Sequence, residues 1–459
     1  MPIRKLFIAN RGEIAVRIIR AARNMKIRTV LGASQADIGS LAASMADEVV
    51  LLGPPPAAKS YLDRTCIIEA IRNSGADAVH PGYGFLSENA DFAATVEKIG
   101  VIFVGPRPET IARMGDKAAA RSEAIAAGAP VVPGSEGTVS GLAAARAVAE
   151  RIGFPLLIKA AAGGGGRGIH IANSADELDA LIPRVETEAF AAFGDRSFYL
   201  ERYLAQARHV EVQVLGDGET IVHLHERECS LQRRRQKLWE EGPAVSLPAA
   251  VREALCASAV ALAGRVGYRG AGTIEYLYDA TSEAFYFIEM NTRIQVEHPV
   301  TEAITGVDLV EAQLRIAGGE KLWLRQDEIT PAGHAIEIRI NAEDPDRDFM
   351  PSPGTVSSLV LPDGARFDTL LFPGCKIVPF YDSLIGKLIV HAADRVSALS
   401  ALRTALNQLE INGIATNVDL FRRLLTAADI QSGDIHTLWL ETWIRANAVE
   451  GTVSTTQGS

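Results

Sequence analysis

Cysteine is scarce in this chain. Four residues, Cys66, Cys229, Cys256 and Cys375, are scattered through 459 positions without metal-type spacing, which excludes a zinc ribbon and reads as the reduced thiols of a cytosolic, cytoplasmic protein. Positive charge is also in short supply: 46 Lys and Arg against 56 Asp and Glu leave a net charge of −10, which argues against a nucleic-acid surface. No stretch is long or apolar enough to cross a membrane, and the start, Met1-Pro-Ile-Arg-Lys-Leu-Phe-Ile-Ala-Asn10, runs into a strand without the core of a signal peptide. Internal repeats are missing too, and only residues 447–459 read as a disordered tail. What remains is a soluble globular composition, 47% apolar and 22% charged. The chain is too long for one core and is expected to form about two to four domains.

The first hundred or so residues alternate strand and helix. Strands are expected over 5–9, 29–33, 49–52, 76–80 and 101–104, with a helix over 13–25, a pattern that predicts a parallel α/β sheet. Its most pointed connection is His80-Pro-Gly-Tyr-Gly-Phe-Leu-Ser-Glu-Asn89, where a strand ends in a Pro/Gly turn. Ligands favour the carboxyl ends of strands in such sheets, which places Tyr83 and Glu88 to touch one. From Lys117 an Ala-rich helix leads to a boundary loop over 131–137.

Next come an apolar strand ending at Lys159, a four-glycine loop and a second strand over 169–172. This reads as a hairpin whose tip lies against phosphates, because glycine lets backbone N–H groups approach closely. No Gly-Lys-Ser/Thr follows and no helix opens at the loop, so it is neither a P-loop nor a dinucleotide fingerprint. A helix over 175–193 leads to strands over 198–204, 209–214 and 221–226. In the second of these, His209, Glu211 and Gln213 alternate with valines, the pattern of a half-buried strand with one polar face. Arg233 to Arg235 follow a strand in an acidic protein and are read as an anion contact. Further on, a helix is expected over 302–317, a strand over 335–341 with Glu337, Arg339 and Asn341 on one face, and a helix over 395–409.

The densest chemistry lies in residues 285–300, Phe-Tyr-Phe-Ile-Glu-Met-Asn-Thr-Arg-Ile-Gln-Val-Glu-His-Pro-Val. In a strand alternate side chains share a face, so Glu289 and Asn291 stand side by side. A preceding strand, 273–278, is joined by a turn-forming stretch; if the two pair as a hairpin, Glu275 and Glu289 share a face as well. Such hard oxygen donors suit Mg²⁺ that is also held by nucleotide phosphates, although carboxylates on alternating strands equally fit a solvated face. Arg293, Gln295 and Glu297 follow at once, and clustered charge of both signs on a strand exit tilts the reading towards a site.

Taken together, Ile8-Ala-Asn-Arg-Gly-Glu-Ile14, His80 to Asn89, the loop 163–168, Arg208-His-Val-Glu-Val-Gln213, Glu289-Met-Asn-Thr-Arg-Ile-Gln-Val-Glu-His-Pro299 and Arg339-Ile-Asn-Ala-Glu-Asp344 resemble the biotin carboxylase family of ATP-grasp enzymes, over residues 3–445. The resemblance implies an α/β and α+β multidomain fold: an N-terminal Rossmann-like domain over 1–115, a linker helix and ATP-grasp lid over 116–203 with the lid itself at 131–203, and a C-terminal mixed domain over 204–446. It implies ATP- and bicarbonate-dependent carboxylation of biotin through carboxyphosphate, the first half-reaction of an acyl-CoA carboxylase, foremost acetyl-CoA carboxylase of fatty acid biosynthesis. By the same resemblance Lys117, Lys159, Gly164, Gly165 and Gly166 hold phosphates, and Glu201, Leu204, His209, Gln232, Leu277 and Ile435 contact the nucleoside. Glu275, Glu289 and Asn291 take Mg²⁺ or Mn²⁺, while Lys237, Arg293, Gln295 and Val296 bind bicarbonate with Glu297 as its base. Arg339 stabilises the biotin enolate and Tyr83 lies beside the ring.

The chain departs from the family pattern at Arg235, where His usually follows two arginines, and at Leu238-Trp-Glu-Glu-Gly-Pro243, which usually reads Val-Val-Glu-Glu-Ala-Pro. Asn24 falls where relatives carry a charged residue in a dimer contact. No Ala-Met-Lys-Met biotin-attachment motif occurs, so the expected substrate is biotin on a separate carrier protein, with a separate carboxyltransferase and a homodimeric enzyme. The alternatives are another ATP-grasp ligase joining a carboxylate to an amine through an acyl phosphate, against which the complete Arg293-to-Pro299 run argues, and a silent nucleotide-binding regulator, which would lack Glu297, Arg339 or Lys237.

Overall fold

The computed structural model describes residues 2–160, 169–193 and 196–448. Its N-terminal part is a parallel sheet of β1 (Lys5–Ile8), β2 (Arg28–Ser34), β3 (Glu48–Gly53), β4 (Ala78–His80) and β5 (Ile102–Phe103), ordered β3-β2-β1-β4-β5. The helix Gly12–Asn24 packs against it through Ile14, Ile18 and Ile19, the apolar stripe that period 3.6 predicts. The strand order reverses between β1 and β4, and a crevice opens at the carboxyl ends of those two strands. The helix Ala90–Lys98 starts where Asn89 accepts the Phe92 N–H at 2.8 Å.

A small antiparallel sheet follows, β6 (Leu156–Ala160), β7 (Ile169–Ala172) and β8 (Phe198–Arg202), ordered β7-β6-β8. The expected hairpin is present, since Lys159 is paired with Ile169. Gly164, Gly165 and Gly166 lie outside the described residues. The boundary loop is tied down: Val131 bridges Phe287, and Gly134 bridges Glu201.

The third unit is an eight-stranded antiparallel sheet. In spatial order it runs β13 (Ala284–Asn291), β12 (Arg269–Asp279), β9 (Arg208–Asp217), β10 (Ile221–Arg233), β11 (Gln236–Gly242), β14 (His334–Asn341), then the strands Leu384–Ala392 and Arg366–Thr369. One apolar core gathers under β9, β12 and β13 against the helix Ala249–Arg265, and another under β11 and β14 against the helices Arg395–Gln408 and Val418–Leu424. Trp239 belongs to the second core, 1% exposed and 6.5 Å from the Phe421 ring. The departure at Leu238 and Trp239 is therefore a change of core packing.

Three expectations are corrected. The helix expected over 302–317 is two, His298–Thr305 and Leu309–Ala317, because Gly306 closes the first at φ 73° and the Asp308 side chain caps the second. β9 is buried on both faces, with Glu211 and Gln213 at 0% exposure, because charged side chains of β10 and β11 cover its polar face. Arg234 and Arg235 form the two-residue turn between β10 and β11, both at positive φ; the anion that Arg233 and Arg234 hold is the chain's own Asp348. Among the described residues no helix is long and apolar enough to cross a membrane.

Candidate active site

The site grows from the β12–β13 pair. Glu275 stands opposite Glu289 and Thr273 opposite Asn291, with Ile288 as the extra residue of a bulge. Beyond the bulge Met290 returns to the core, so Glu289 and Asn291 share the opposite face, as strand alternation requires. Asn291 Nδ2 donates to Glu275 Oε1 at 2.9 Å, and Gln295 Nε2 donates to the same oxygen at 2.8 Å. Arg293 Nη2 donates to Asn291 Oδ1 at 2.9 Å while its Nε reaches Glu88 Oε2, also at 2.9 Å. Glu88 also accepts the Thr292 N–H, so the turn after β4 meets the exit of β13.

Lys237, on β11, is the hub. Its Nζ donates to Glu211 Oε2 at 2.5 Å, Glu275 Oε1 at 2.9 Å and Glu297 Oε1 at 2.7 Å. Arg339, from β14, donates through Nη2 to Glu297 Oε2 at 2.9 Å and through Nε to Glu240 Oε1 at 2.6 Å. Beneath them the fully buried Arg227 donates to Glu211, Gln213, Thr301 and Gln295 at 2.7–2.9 Å. Such a cluster is tenable away from water only because nearly every charge is paired. Burial would raise the Glu297 carboxyl, but the Lys237 ammonium, helped by Arg339 and Arg227, holds it below its ordinary range. Burial would likewise lower Lys237, yet its three carboxylates push it well above the usual lysine range.

The wall across the crevice comes from the N-terminal sheet. Asn10, just past β1, donates to the carbonyls of Pro81 and Tyr83 at 2.6 and 2.7 Å and so pins the turn that carries Tyr83. Only glycine fits at 82, where φ is +61° and an added Cβ would meet Asn10 Nδ2 at 2.8 Å. The Tyr83 hydroxyl donates to Glu13, and Glu13 lies 3.2 Å from Lys387 Nζ, which donates to the Val296 carbonyl at 2.8 Å. Between these walls is a cavity of about 400 Å³ lined by Glu13, Tyr83, Lys237, Arg293, Val296, Arg339, Phe380 and Tyr381. Its size and mixture of aromatic walls with convergent charge suit a small polar ligand.

The remaining predicted residues fall into neighbouring groups. His209 stands beside Leu277 across β9–β12, with Nε2 3.3 Å from Glu275 Oε2. Burial would lower its imidazole, but Glu275 raises it to about 9. Gln232 is the β-ladder partner of Lys237, and its amide is spent on the Cys229 carbonyl at 2.8 Å. Ile435 lines a separate hollow of about 200 Å³ with Gln206, Arg208 and Trp439, and half-buried Leu204 lies between β8 and β9. Lys159 is ion-paired with Glu201 across β6–β8. Lys117 opens the helix Lys117–Ala126, and its charge acts on Glu289, which partial burial and Glu275 otherwise push upward.

Sequence reasoning left out Glu13, Arg227, Glu240 and Lys387. Glu13 had a signal, since it follows the carboxyl end of β1 at the point where the strand order reverses. The others are visible only once strands distant in sequence are paired.

Three family models match: "Biotin carboxylase, N-terminal domain" over residues 2–111, "Carbamoyl-phosphate synthase L chain, ATP binding domain" over 116–325, and "Biotin carboxylase C-terminal domain" over 337–442. Biotin carboxylase 1 of Bacillus subtilis is 48% identical over 96% of this chain and 99% of its own length, and biotin carboxylase of Pseudomonas aeruginosa 49% identical over 96% and 98%. Among solved structures, the biotin carboxylase domain of a thermophilic 2-oxoglutarate carboxylase bound to bicarbonate superposes with a TM-score of 0.92 at 42% identity, over 96% of this chain and 98% of that one. The biotin carboxylase subunit of a pyruvate carboxylase gives 0.87 at 42%, over 97% and 99%. At such identity over nearly the whole of both chains, the protein belongs to the biotin carboxylase family of ATP-grasp ligases.

Proposed function

We propose that this chain carboxylates biotin carried on a separate protein, consuming ATP and bicarbonate and releasing ADP and phosphate. The observation that carries the reading is that buried Glu297 is held by Lys237 and Arg339, two cations that line one cavity together with Arg293 and Tyr83. Lys117, Lys159 and the glycines 164–166 are assigned to the phosphates, and Glu201, Leu204, His209, Gln232, Leu277 and Ile435 to the nucleoside. Residues 131–203 are taken as the lid over them.

The donor set for a divalent cation fits. Glu275 and Glu289 are directly opposed, the Asn291 carbonyl oxygen, held by Arg293, belongs to the same face, and Glu289 is raised by burial and then by the neighbouring Glu275 carboxylate. All three are the hard oxygen ligands that Mg²⁺ or Mn²⁺ takes, and the bound ion would supply neutralisation of phosphate charge.

Bicarbonate is a poor nucleophile at an anionic phosphate. Arg293, Gln295, Val296 and Lys237 are proposed to bind it, and Glu297 to remove its proton. In the resting site Glu297 is a weak base, because Lys237 and Arg339 both hold it. An incoming anion that draws on those two cations strengthens it. The carboxyphosphate so formed would break to CO₂ and phosphate, the phosphate taking the ureido N–H proton while Arg339 stabilises the enolate and Tyr83 stacks beside the ring.

The carrier, a carboxyltransferase, a homodimer and a cytoplasmic setting complete the proposal. An acyl-CoA, acetyl-CoA in the first instance, is the proposed final acceptor. The test is ATP hydrolysis by the purified chain: it should require bicarbonate and rise with free biotin, and turnover indifferent to both would refute the reading.

A further inference from the structure

Two carboxylates beside Arg339 have no part in the reaction above. In the antiparallel pair of β11 and β14, Glu240 stands directly opposite Glu337. Opposed side chains of a strand pair have Cβ atoms about 4.5–5.5 Å apart, within reach of a carboxyl-to-carboxyl hydrogen bond. Both residues are 0% exposed. Glu240 Oε1 accepts from Arg339 Nε, but Glu240 Oε2 and both oxygens of Glu337 have no hydrogen-bond partner among the described residues.

Charged neighbours do not cure this. Glu240 faces Arg339 from β14, Glu297 from the loop after β13, and Lys237 from its own strand. Glu337 faces Lys387 from the strand Leu384–Ala392, with Arg339, Glu240 and Glu297 beyond. The Lys387 ammonium is already engaged by Glu13 and the Val296 carbonyl. Burial pushes Glu337 well above the usual carboxylate range and Glu240 to about 7, the latter against the pull of Arg339. One proton satisfies two of the three oxygens: a protonated Glu337 donates to the orphaned Oε2 of Glu240, its own second oxygen becomes an uncharged carbonyl, and Glu240 keeps its charge for the guanidinium.

We propose that Glu240 and Glu337 form a buried carboxyl pair sharing one proton, and that Glu240, its anionic member, is the positioning residue for Arg339. The second half rests on the reading of Arg339 as the group that meets biotin. Because Glu240 holds the Nε edge, the Nη2 edge is free to leave Glu297 for a ligand without the guanidinium swinging out of place.

The test uses the full chain and the variants Glu240→Gln and Glu337→Gln, with ATP, bicarbonate and free biotin. Glu240→Gln should lose about a hundredfold in kcat for biotin carboxylation while its KM for ATP stays within about threefold, the pattern of lost positioning and not of a damaged fold. Glu337→Gln, whose amide donates as the protonated acid does, should keep kcat within about threefold near pH 7. Infrared difference spectra of the ligand-free proteins should show the C=O stretch of a buried protonated carboxyl in the wild type and its loss in Glu337→Gln. Equal losses in the two variants, wild-type turnover in Glu240→Gln, or no such band in the wild type would each overturn the proposal. The band is read without substrate, so it decides the shared proton even if the wild type fails to carboxylate biotin, a failure that would fall on the functional reading instead.

Discussion

Replacing Glu297 with Gln removes one charge and almost no volume from the centre of the site. Lys237 would keep Glu211 and Glu275 at 2.5 and 2.9 Å, and Arg339 would keep Glu240 at 2.6 Å, so neither cation is left without a carboxylate. Two charge-assisted hydrogen bonds weaken, but the repulsion between Glu297 and Glu211 disappears with them. The net cost to folding is expected to be about 1–2 kcal/mol, below the roughly 3–5 kcal/mol of a buried ion pair broken outright. Catalysis should suffer far more. A positioned general base contributes about 10²–10⁴ in rate, or roughly 2.7–5.4 kcal/mol of barrier. The variant should therefore bind nucleotide with a Kd within about threefold of wild type by calorimetry and fix labelled bicarbonate into free biotin about 10²–10⁴ times more slowly. If Glu297→Gln fixes bicarbonate within about tenfold of wild type, the base lies elsewhere. If nucleotide binding collapses along with fixation, the two halves of the site are not separable in the way the hydrogen bonds imply.

Arg227→Met should be the most destabilising change near the site, about 3–5 kcal/mol by urea titration, because it leaves Glu211 Oε1 without its partner in a place with 0% exposure and frees the groups of Gln213, Thr301 and Gln295 as well; a loss under about 1 kcal/mol would show that Lys237 alone suffices for Glu211. Trp239→Val should cost about 3 kcal/mol through the void left beside Phe421, with turnover per folded molecule unchanged, and an altered KM for biotin would mean that the indole also shapes the cavity. His80 is fully buried and accepts the Gly82 N–H at Nδ1, and burial holds its imidazole down to about 3. A folded-state pKa below the unfolded one gives stability that is complete well above about pH 6.5 and lost as pH falls towards 3, so the unfolding free energy from urea titration should drop by about 1.6 kcal/mol, and the midpoint with it, between about pH 6.5 and pH 5. A flat midpoint over that window would show that water reaches the ring.

Local pattern carried the sequence reading a long way where the chemistry was itself local. The alternation of Glu289 and Asn291 with Met290 held, and the turn between β12 and β13 brought Glu275 opposite Glu289 across only a few residues of chain. The Pro/Gly turn after β4 marked Tyr83 and Glu88, since chemistry at the carboxyl end of a parallel strand depends on topology and not on tertiary detail. Reasoning failed where a side chain's fate depended on partners far away. Three consecutive arginines looked like an anion contact, but Arg234 and Arg235 are a turn, and the carboxylate that Arg233 and Arg234 bind lies more than a hundred residues downstream. The helix expected over 302–317 followed the apolar period across Gly306, whose left-handed φ of 73° ends it.

The deepest layer of the site was illegible for a more basic reason. A glutamate in a strand reads as solvent-facing, because a lone buried carboxylate costs several kcal/mol. Glu211, Glu240 and Glu297 escape that cost only because Arg227, Lys237 and Arg339 arrive from β10, β11 and β14, and the strand order that unites them is set by the whole sheet. Read one strand at a time, each of these residues breaks a rule about charge and burial. Read across the sheet, Glu211 and Glu297 are matched by cations from neighbouring strands, whereas both oxygens of Glu337 and one of Glu240 have no hydrogen-bond partner among the described residues. Two facing carboxylates with three unpartnered oxygens between them mark that cross-strand pair as the place where a proton takes the role a cation has at Glu211 and Glu297, with Arg339 and its contact to Glu297 held on the other side.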